Sequence, residues 1–494
     1  MFLRHGMGRG LGVKGLGISV ASVLLISSMA WGQFASSNVT LTDRLPLSQI
    51  GGGTGSDIWG WTDPDTGREY ALMGRSNGVS FVDVTDPFNA VYLGNLPPAP
   101  NGGSDDWRDI KTYGNYAYIV ADGNVGPHGL QVFDLTRLRG VTTPQTFTTD
   151  FNENSFRNAH NIAINEESGY AYVLGSNLDS GRAQVYDLSN PAVPEYVTSI
   201  SPDAYIHDAQ VVNYRGPDQT YAGREVMFTG SVNDLVIIDV EDKNAPFRIW
   251  ESQPLNPQPY DVGYIHQGWL SEDHTIFYMN DELDDNWTHI WDVSDLDNPV
   301  YKGHLDPLVG NSIDHNLYVK GNYVYEANYT SGLRVFEITD PVNGTIDEVA
   351  WLDTFPSSNG GFFDGAWSVY PYFDSGTIIT SDISGGLFVA RVGVLAADFD
   401  GDGRANCTDI DQLVAAVANQ TGESWFDLTG DGLLSVADVE QWLEDAGMEN
   451  IGAAYLPGDA NLDGIVDGAD FLAWNDHKFS DVAAWCSGDF NADG

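Results

Sequence analysis

The sequence predicts an all-β fold, a seven-bladed β-propeller, followed by a small α-helical domain. Three observations carry this expectation. An apolar strand that ends in an acidic residue recurs roughly every fifty residues. A second strand, opened four times by histidine, precedes those ends in matching register. After Val394 the composition shifts: residues 398–494 hold 21 acidic and 2 basic residues, and helical periodicity replaces alternation.

The acidic strand reads "VSFVDVTDP" (79–87), "LQVFDLT" (130–136), "AQVYDLSNP" (183–191), "LVIIDVEDKNAP" (235–246), "HIWDVSDLDNP" (289–299) and "LRVFEITDP" (333–341), with "GLFVARV" (386–392) as a degenerate seventh copy. Its acids, Asp83, Asp134, Asp187, Asp239, Asp292 and Glu337, are separated by 51, 53, 52, 53 and 45 residues. Ser or Thr, and often Pro, follow them. That pattern stops a strand in an Asx or Ser/Thr turn, so these acids are assigned to turns and not to chemistry.

The opening strand starts at Ser56, Arg108, His160, His207, His266, His315 and Ala366. A further strand lies between the two, as in "YAYIVAD", and a fourth comes after, as in "AVYLGNL" (90–96). Four short strands with Gly, Asn and Asp turns make a propeller blade. The seventh copy has no outer strand behind it. "VTLTDRLPL" (39–47), ahead of the first blade, can supply one and hide the open edge. An extended solenoid is the rival architecture, and the spare strand favours the closed ring.

Residues 1–32 are expected to be a secretory signal peptide. Arg4, Arg9 and Lys14 precede the apolar run "ISVASVLLISSMAW" (18–31), with small residues at "AWG" (30–32). An uncleaved anchor is the other reading. The propeller then fills 33–393, no later segment is apolar enough to span a membrane, and the location is secreted or cell-surface. A formal charge of −48 argues against nucleic acid, whose phosphates need Lys and Arg clusters. The two cysteines, Cys407 and Cys486, can pair in an exported protein, but the sequence does not decide it.

In a propeller the innermost strand lines the central channel and its first residues stand at one mouth. His160, His207, His266 and His315 would occupy four consecutive blades at one level, with Asp208 beside them. Two readings stay open. Polar groups at a narrow mouth satisfy backbone and water. Alternatively, neutral imidazoles with a nearby carboxylate hold a transition metal or substrate, or serve as acid and base. Catalytic motifs fail: "GRSNG" (74–78) precedes a strand and not the helix of a nucleophile elbow. The function expected is non-catalytic binding or scaffolding. The alternative is an extracellular hydrolase of polysaccharide or ester that uses the mouth histidines.

The region 394–494 carries three loops at EF-hand spacing. "DFDGDGRANCTD" (398–409) places Asp398, Asp400, Asp402, Arg404, Asn406 and Asp409 at the ligand positions. "DLTGDGLLSVAD" (427–438) places Asp427, Thr429, Asp431, Leu433, Ser435 and Asp438 there. "DANLDGIVDGAD" (459–470) does so with Asp459, Asn461, Asp463, Ile465, Asp467 and Asp470. Alternate oxygens face inward, glycine makes the sharp turn, and the seventh residue offers its carbonyl, so calcium is the expected ion. A fourth loop, "DFNADG" (489–494), begins with Asp489, Asn491 and Asp493, and the sequence stops inside it. The expectation is a truncated sequence.

The runs "HDAQVV", "IHQGW", "DELDD" (281–285), "THIWDVSDLDNPV" (288–300), "DHNLYVKGNYVYEANYTSGLRVFEI" (314–338) and "GAWSVYPYFDSGTIITSDISGGLFV" (365–389) resemble the choice-of-anchor B family of LVIVD-repeat proteins, and "LVIIDV" (235–240) is close to the naming repeat. The resemblance covers about 40–393. It implies a secreted or cell-surface propeller attached by a C-terminal sorting device, and no settled enzymatic activity. Residues 398–494 resemble dockerin type I repeats, which implies calcium-binding loops and a protein partner. In dockerins, loop positions 10 and 11 contact cohesin, typically through Ser or Thr. Here they are Cys407-Thr408, Val436-Ala437 and Gly468-Ala469, which points away from an ordinary cohesin and toward another protein or cell-envelope partner.

Overall fold

The computed structural model describes residues 34–100, 102–123, 126–200, 205–252, 263–283, 287–305, 309–392, 397–399, 404–421, 426–429, 433–478 and 483–493. The expected signal peptide and the loop residues Asp400, Asp402 and Asp431 lie outside the described residues.

Seven sheets form seven blades, antiparallel except where Gln145–Thr146 pairs parallel with the outer strand of blade one. Their innermost strands are Gly55–Thr62, Arg108–Tyr113, Asn161–Asn165, Asp208–Asn213, Ile265–Leu270, Asn316–Lys320 and Ala366–Tyr370. Each is followed by a second strand and a third and, in blades one to six, where the third strand carries the acid, by an outer strand. Blade seven takes its outer strand from the other end of the chain. Val39–Leu45 pairs antiparallel with Gly386–Val392, from Val39 opposite Val392 to Leu45 opposite Leu387. The ring is therefore closed by backbone hydrogen bonds, and an exposed edge is removed. Ser36–Ser37 reaches past this strand and pairs with Thr345–Leu352 of blade six.

Alternation along the strands sends apolar side chains to both blade faces, where neighbouring blades meet. Phe81 of blade one stacks on Phe133 of blade two at 4.6 Å between ring centres. Phe228 of blade four meets Phe277 of blade five at 5.3 Å. Burying each such ring stabilises the fold by about 1.5–3 kcal/mol.

The strand-ending acids build the turns their sequence demands. The Thr85 amide donates to Asp83 at 3.1 Å, the Ser189 amide to Asp187 at 2.7 Å and the Ser294 amide to Asp292 at 3.1 Å.

A second set of polar side chains joins the blades along the channel. The Ile110 amide donates to Asp57 at 3.2 Å and the Ile162 amide to Asp109 at 2.7 Å. Gln267 both accepts from the Leu317 amide at 3.0 Å and donates to its carbonyl at 2.9 Å. Each bond satisfies an innermost-strand backbone group of the next blade that has no ladder partner on that side.

The C-terminal region contains helices Cys407–Asn419, Val436–Asn450 and Gly468–His477. Asn406, Ser435 and Asp467 cap them, each in a capping box with the aspartate three residues on. Their core, around Ile410, Leu413, Trp442 and Trp485, shares no residue with the propeller clusters. Cys407 and Cys486 form a disulfide across 79 residues. Among the described residues no helix is long and apolar enough to cross a membrane.

Candidate functional site

The four histidines converge on one mouth of the channel. His160, His207 and His315 stand one residue before their strands, and His266 is the second residue of Ile265–Leu270. Backbone pairing sets this level: the His160 amide donates to Leu174 at 3.0 Å and the His207 amide to Gly230 at 2.8 Å. The rings then lie side by side, with centres 4.1 Å apart for His160 and His207 and 4.3 Å for each of the next two pairs. They line a cavity of about 520 Å³, walled by Trp107, Tyr205, Tyr264, Tyr329 and Trp367.

Burial holds the central imidazoles neutral. It pushes His207 and His266 well below the ordinary histidine value, and His315 down to about 3. Nδ1 of His315 donates to the Trp367 carbonyl at 2.6 Å, which leaves the Nε2 lone pair available. Nδ1 of His207 and Nδ1 of His266 are buried and make no hydrogen bond of good geometry, and the backbone of the next histidine, His266 and His315 in turn, lies against each ring. His160 differs: its Nδ1 meets Asp122 at 3.0 Å. Burial would raise the Asp122 carboxyl, but the bonds from His160, Gly123 and Asn158 outweigh it and hold the group low.

Sequence reading missed two acids and a phenol. Glu282 reaches into the arc, with Oε1 3.5 Å from Nε2 of His315 and Oε2 3.7 Å from Nε2 of His266. The Tyr329 hydroxyl donates to Glu282 at 2.5 Å, and burial pushes the carboxyl up to about 7. Glu282 and Asp122 each directly follow the second strand of a blade, Ile276–Asp281 and Tyr116–Ala121. Aligning the ends of second strands, as the starts of first strands were aligned, would have found both.

Asp208 does not line the mouth cavity but shares a smaller one with His160, His266 and His315. It lies deeper, beside Asp109 and Lys111, where burial and Asp109 push its carboxyl up to about 7. At the far end of the channel Trp59, Trp269, Tyr318, Tyr370 and Tyr372 line a second cavity of about 380 Å³. Their rings pack on one another, Trp59 on Tyr370 at 5.1 Å and Trp269 on Tyr318 at 4.9 Å.

Of the tail loops the third is described throughout. Asp470 accepts from the amides of Asp467 at 2.7 Å, Ala460 at 2.8 Å and Asn461 at 3.3 Å. Asp459 accepts from Gly464 at 2.8 Å and Asp463 at 3.2 Å. The Asp459 carboxyl is raised, by burial first and then by Asp470 and Asp463, despite those amides. The same closing contact recurs in the other loops. Asp409 accepts from Phe399 at 2.7 Å and Asn406 at 2.9 Å, and Asp438 accepts from Thr429 at 3.1 Å and Ser435 at 2.8 Å. In the fourth loop the Asp493 amide donates to Asp489 at 3.3 Å. Crowded carboxylates with oxygen donors only are the chemistry of a hard divalent cation.

No family model and no curated protein matches the chain. Among solved structures it is similar to the β-propeller domain of Cps50 (Swd1) from Myceliophteria thermophila, at 13% identity over 72% of this chain and 99% of that one, with a TM-score of 0.45. U3-55K is similar at 11% identity, over 72% and 98%, with a TM-score of 0.45. A protein from Lactobacillus plantarum is similar at 14% identity, over 67% and 93%, with a TM-score of 0.43.

Proposed function

We propose that this chain is an exported, non-catalytic binding or scaffold propeller. Its channel mouth takes a ligand, and its dockerin-like tail is organised by calcium and attaches it to a protein or cell-envelope partner. The observation that carries the binding reading is the mouth itself. A cavity of about 520 Å³ is walled by aromatic rings and holds a few convergent polar groups, the usual make-up of a ligand pocket. The histidine rings lie tilted against one another, and His315 packs tilted on Tyr329 and edge-on to Trp367, so the polar groups sit in an aromatic wall. The calcium reading is supported by Asp459, whose raised carboxyl a bound cation would relieve.

Two measurements test these parts separately. For the tail, the full chain is melted with calcium and after chelation. Saturation at a hundred times the dissociation constant stabilises the tail by about 2.7 kcal/mol, and an unchanged melt sinks the calcium reading. For the mouth, the chain is assayed on ester and polysaccharide substrates with zinc present. Turnover that disappears in His315→Ala would replace the binder by the hydrolase.

A further inference from the structure

We infer that His207, His266 and Glu282 form a site for one divalent transition-metal ion of the zinc class. The inference rests on the ligand-binding reading of the same mouth and names the ion that occupies it. Three observations meet here. One ligand atom from each of the three residues lies within 4.8 Å of the other two. The sequence points to the two histidines at the starts of first strands, and the fold adds Glu282 from the far end of a second strand.

The second observation is the surplus of acceptors. A neutral imidazole carries one donor and one acceptor nitrogen. His315 spends its donor on Trp367, so the nitrogen that faces Glu282 carries a lone pair. His207 and His266 are buried, 2% and 3% exposed, and each imidazole lies against the backbone of the next histidine in the arc, His266 and His315 in turn. The Glu282 carboxylate thus faces imidazole nitrogens at 3.5 Å and 3.7 Å, at and beyond the outer limit of a hydrogen bond. A positive ion among these groups uses the lone pairs that the protein leaves idle.

The third is the support behind the donors. The Tyr329 hydroxyl donates to Oε1 of Glu282, the outer-shell hydrogen bond that metal-ligating carboxylates carry, and leaves Oε2 toward His266. Two nitrogens and one carboxylate oxygen select imidazole-seeking ions over calcium or magnesium, which separates this site chemically from the tail loops. With bonds of about 2.0–2.2 Å the donors draw together, and the remaining coordination positions open into the cavity, where a ligand can bind the ion directly.

The test uses the full chain, stripped of metal by chelation and returned to excess calcium so that the tail stays loaded. It is titrated with cobalt(II), followed by visible absorption, and with zinc(II), followed by calorimetry. One equivalent of either ion is expected, with cobalt bands that show nitrogen coordination. His266→Gln and Glu282→Gln are expected to weaken zinc by about 100-fold or more, the upper range for loss of an outer-shell partner alone. Asp459→Asn in the tail should leave zinc affinity unchanged. Folding of each variant is checked by its melting curve. Wild-type chain that is folded and takes up neither ion overturns the inference, whatever the variants do. Equal affinity in wild type, His266→Gln and Glu282→Gln also overturns it, since the ion then sits elsewhere. Neither result removes the binding reading, which stands or falls on the turnover assay.

Discussion

In the propeller, Glu326 is fully buried and its carboxyl is pushed up to about 7, chiefly by burial. In the tail, Asp470 is also shielded from solvent, 2% exposed, and its carboxyl is held below the ordinary range. The partners explain the difference. Glu326 accepts from the Thr288 hydroxyl at 2.9 Å and the Asn328 amide at 2.9 Å, and the same Thr288 hydroxyl lies 3.0 Å from Asp314. One hydroxyl has one proton, so it cannot donate to two carboxylates. One of the acids must carry a proton of its own, and the Asp314 carboxyl is raised as well. At Asp470 burial works in the same upward direction, but three backbone amides favour the anion and prevail. Buried acids in the propeller can thus serve as neutral links between blades. Asp470 in the tail favours the anion, which suits a cation-binding loop.

The largest separation of the two regions is covalent. Closing a loop of 79 residues removes unfolded-state entropy worth about 4.5 kcal/mol. Cys407→Ser with Cys486→Ser is expected to take that amount from the tail and nothing from the blades. Native-state hydrogen exchange checks this, because protection should fall in 404–493 and persist in the blade strands. A matching loss in the blades would show that the two regions unfold as one unit.

The second test is a slope with pH. Glu326 binds its proton more tightly folded than unfolded, so its contribution to stability is complete below about 4.5 and is lost as pH rises through about 7. A shift of this size corresponds to about 3 kcal/mol. Glu326→Gln keeps the neutral form at every pH. Urea midpoints at pH 5 and pH 8 should therefore differ less in the variant than in the wild type. An identical difference would place the titrating proton on another acid.

Blade number, ring closure and the histidine arc were legible because each depends on the register of a repeat. His207, His266 and His315 share a position, so alignment alone puts them on one level. Glu282 is legible only by aligning the ends of second strands, and its contact with Tyr329 is not legible at all. The two residues leave the second strands of blades five and six with no residue type in common, and only the fold brings them together at 2.5 Å. Asp208 was read as part of the mouth because it follows His207. A strand turns successive side chains to different sides, so Asp208 meets His160, His266 and His315 only in the smaller cavity and faces the buried charges of Asp109 and Lys111. The bonds that such positions make to the next blade, as from Asp109 to Ile162, span about fifty residues and leave no local trace in the sequence. In the tail the reverse holds. Each loop is a local device of twelve residues, and its ligand spacing can be read directly.

The smallest effect is also the one that separates structure from ion binding in the tail. Asp470→Asn keeps one carbonyl oxygen and turns the other acceptor into an NH2 donor. That donor must face either the Asp467 amide or the amides of Ala460 and Asn461, all of which are donors themselves. Losing one charge-assisted bond of this kind costs about 2 kcal/mol even without calcium. The sign with pH is opposite to that of Glu326. Because the folded value of Asp470 is depressed, its contribution is present above about 3.8 and disappears as pH falls through the folded value. The near-ultraviolet signal of Trp442 and Trp485, buried in the tail core, reports the melt. The calcium-free wild type should lose tail stability on acidification from pH 6 to pH 3, and Asp470→Asn should lose less. If the variant instead melts like the wild type without calcium and differs only with it, the carboxylate serves the ion and not the loop.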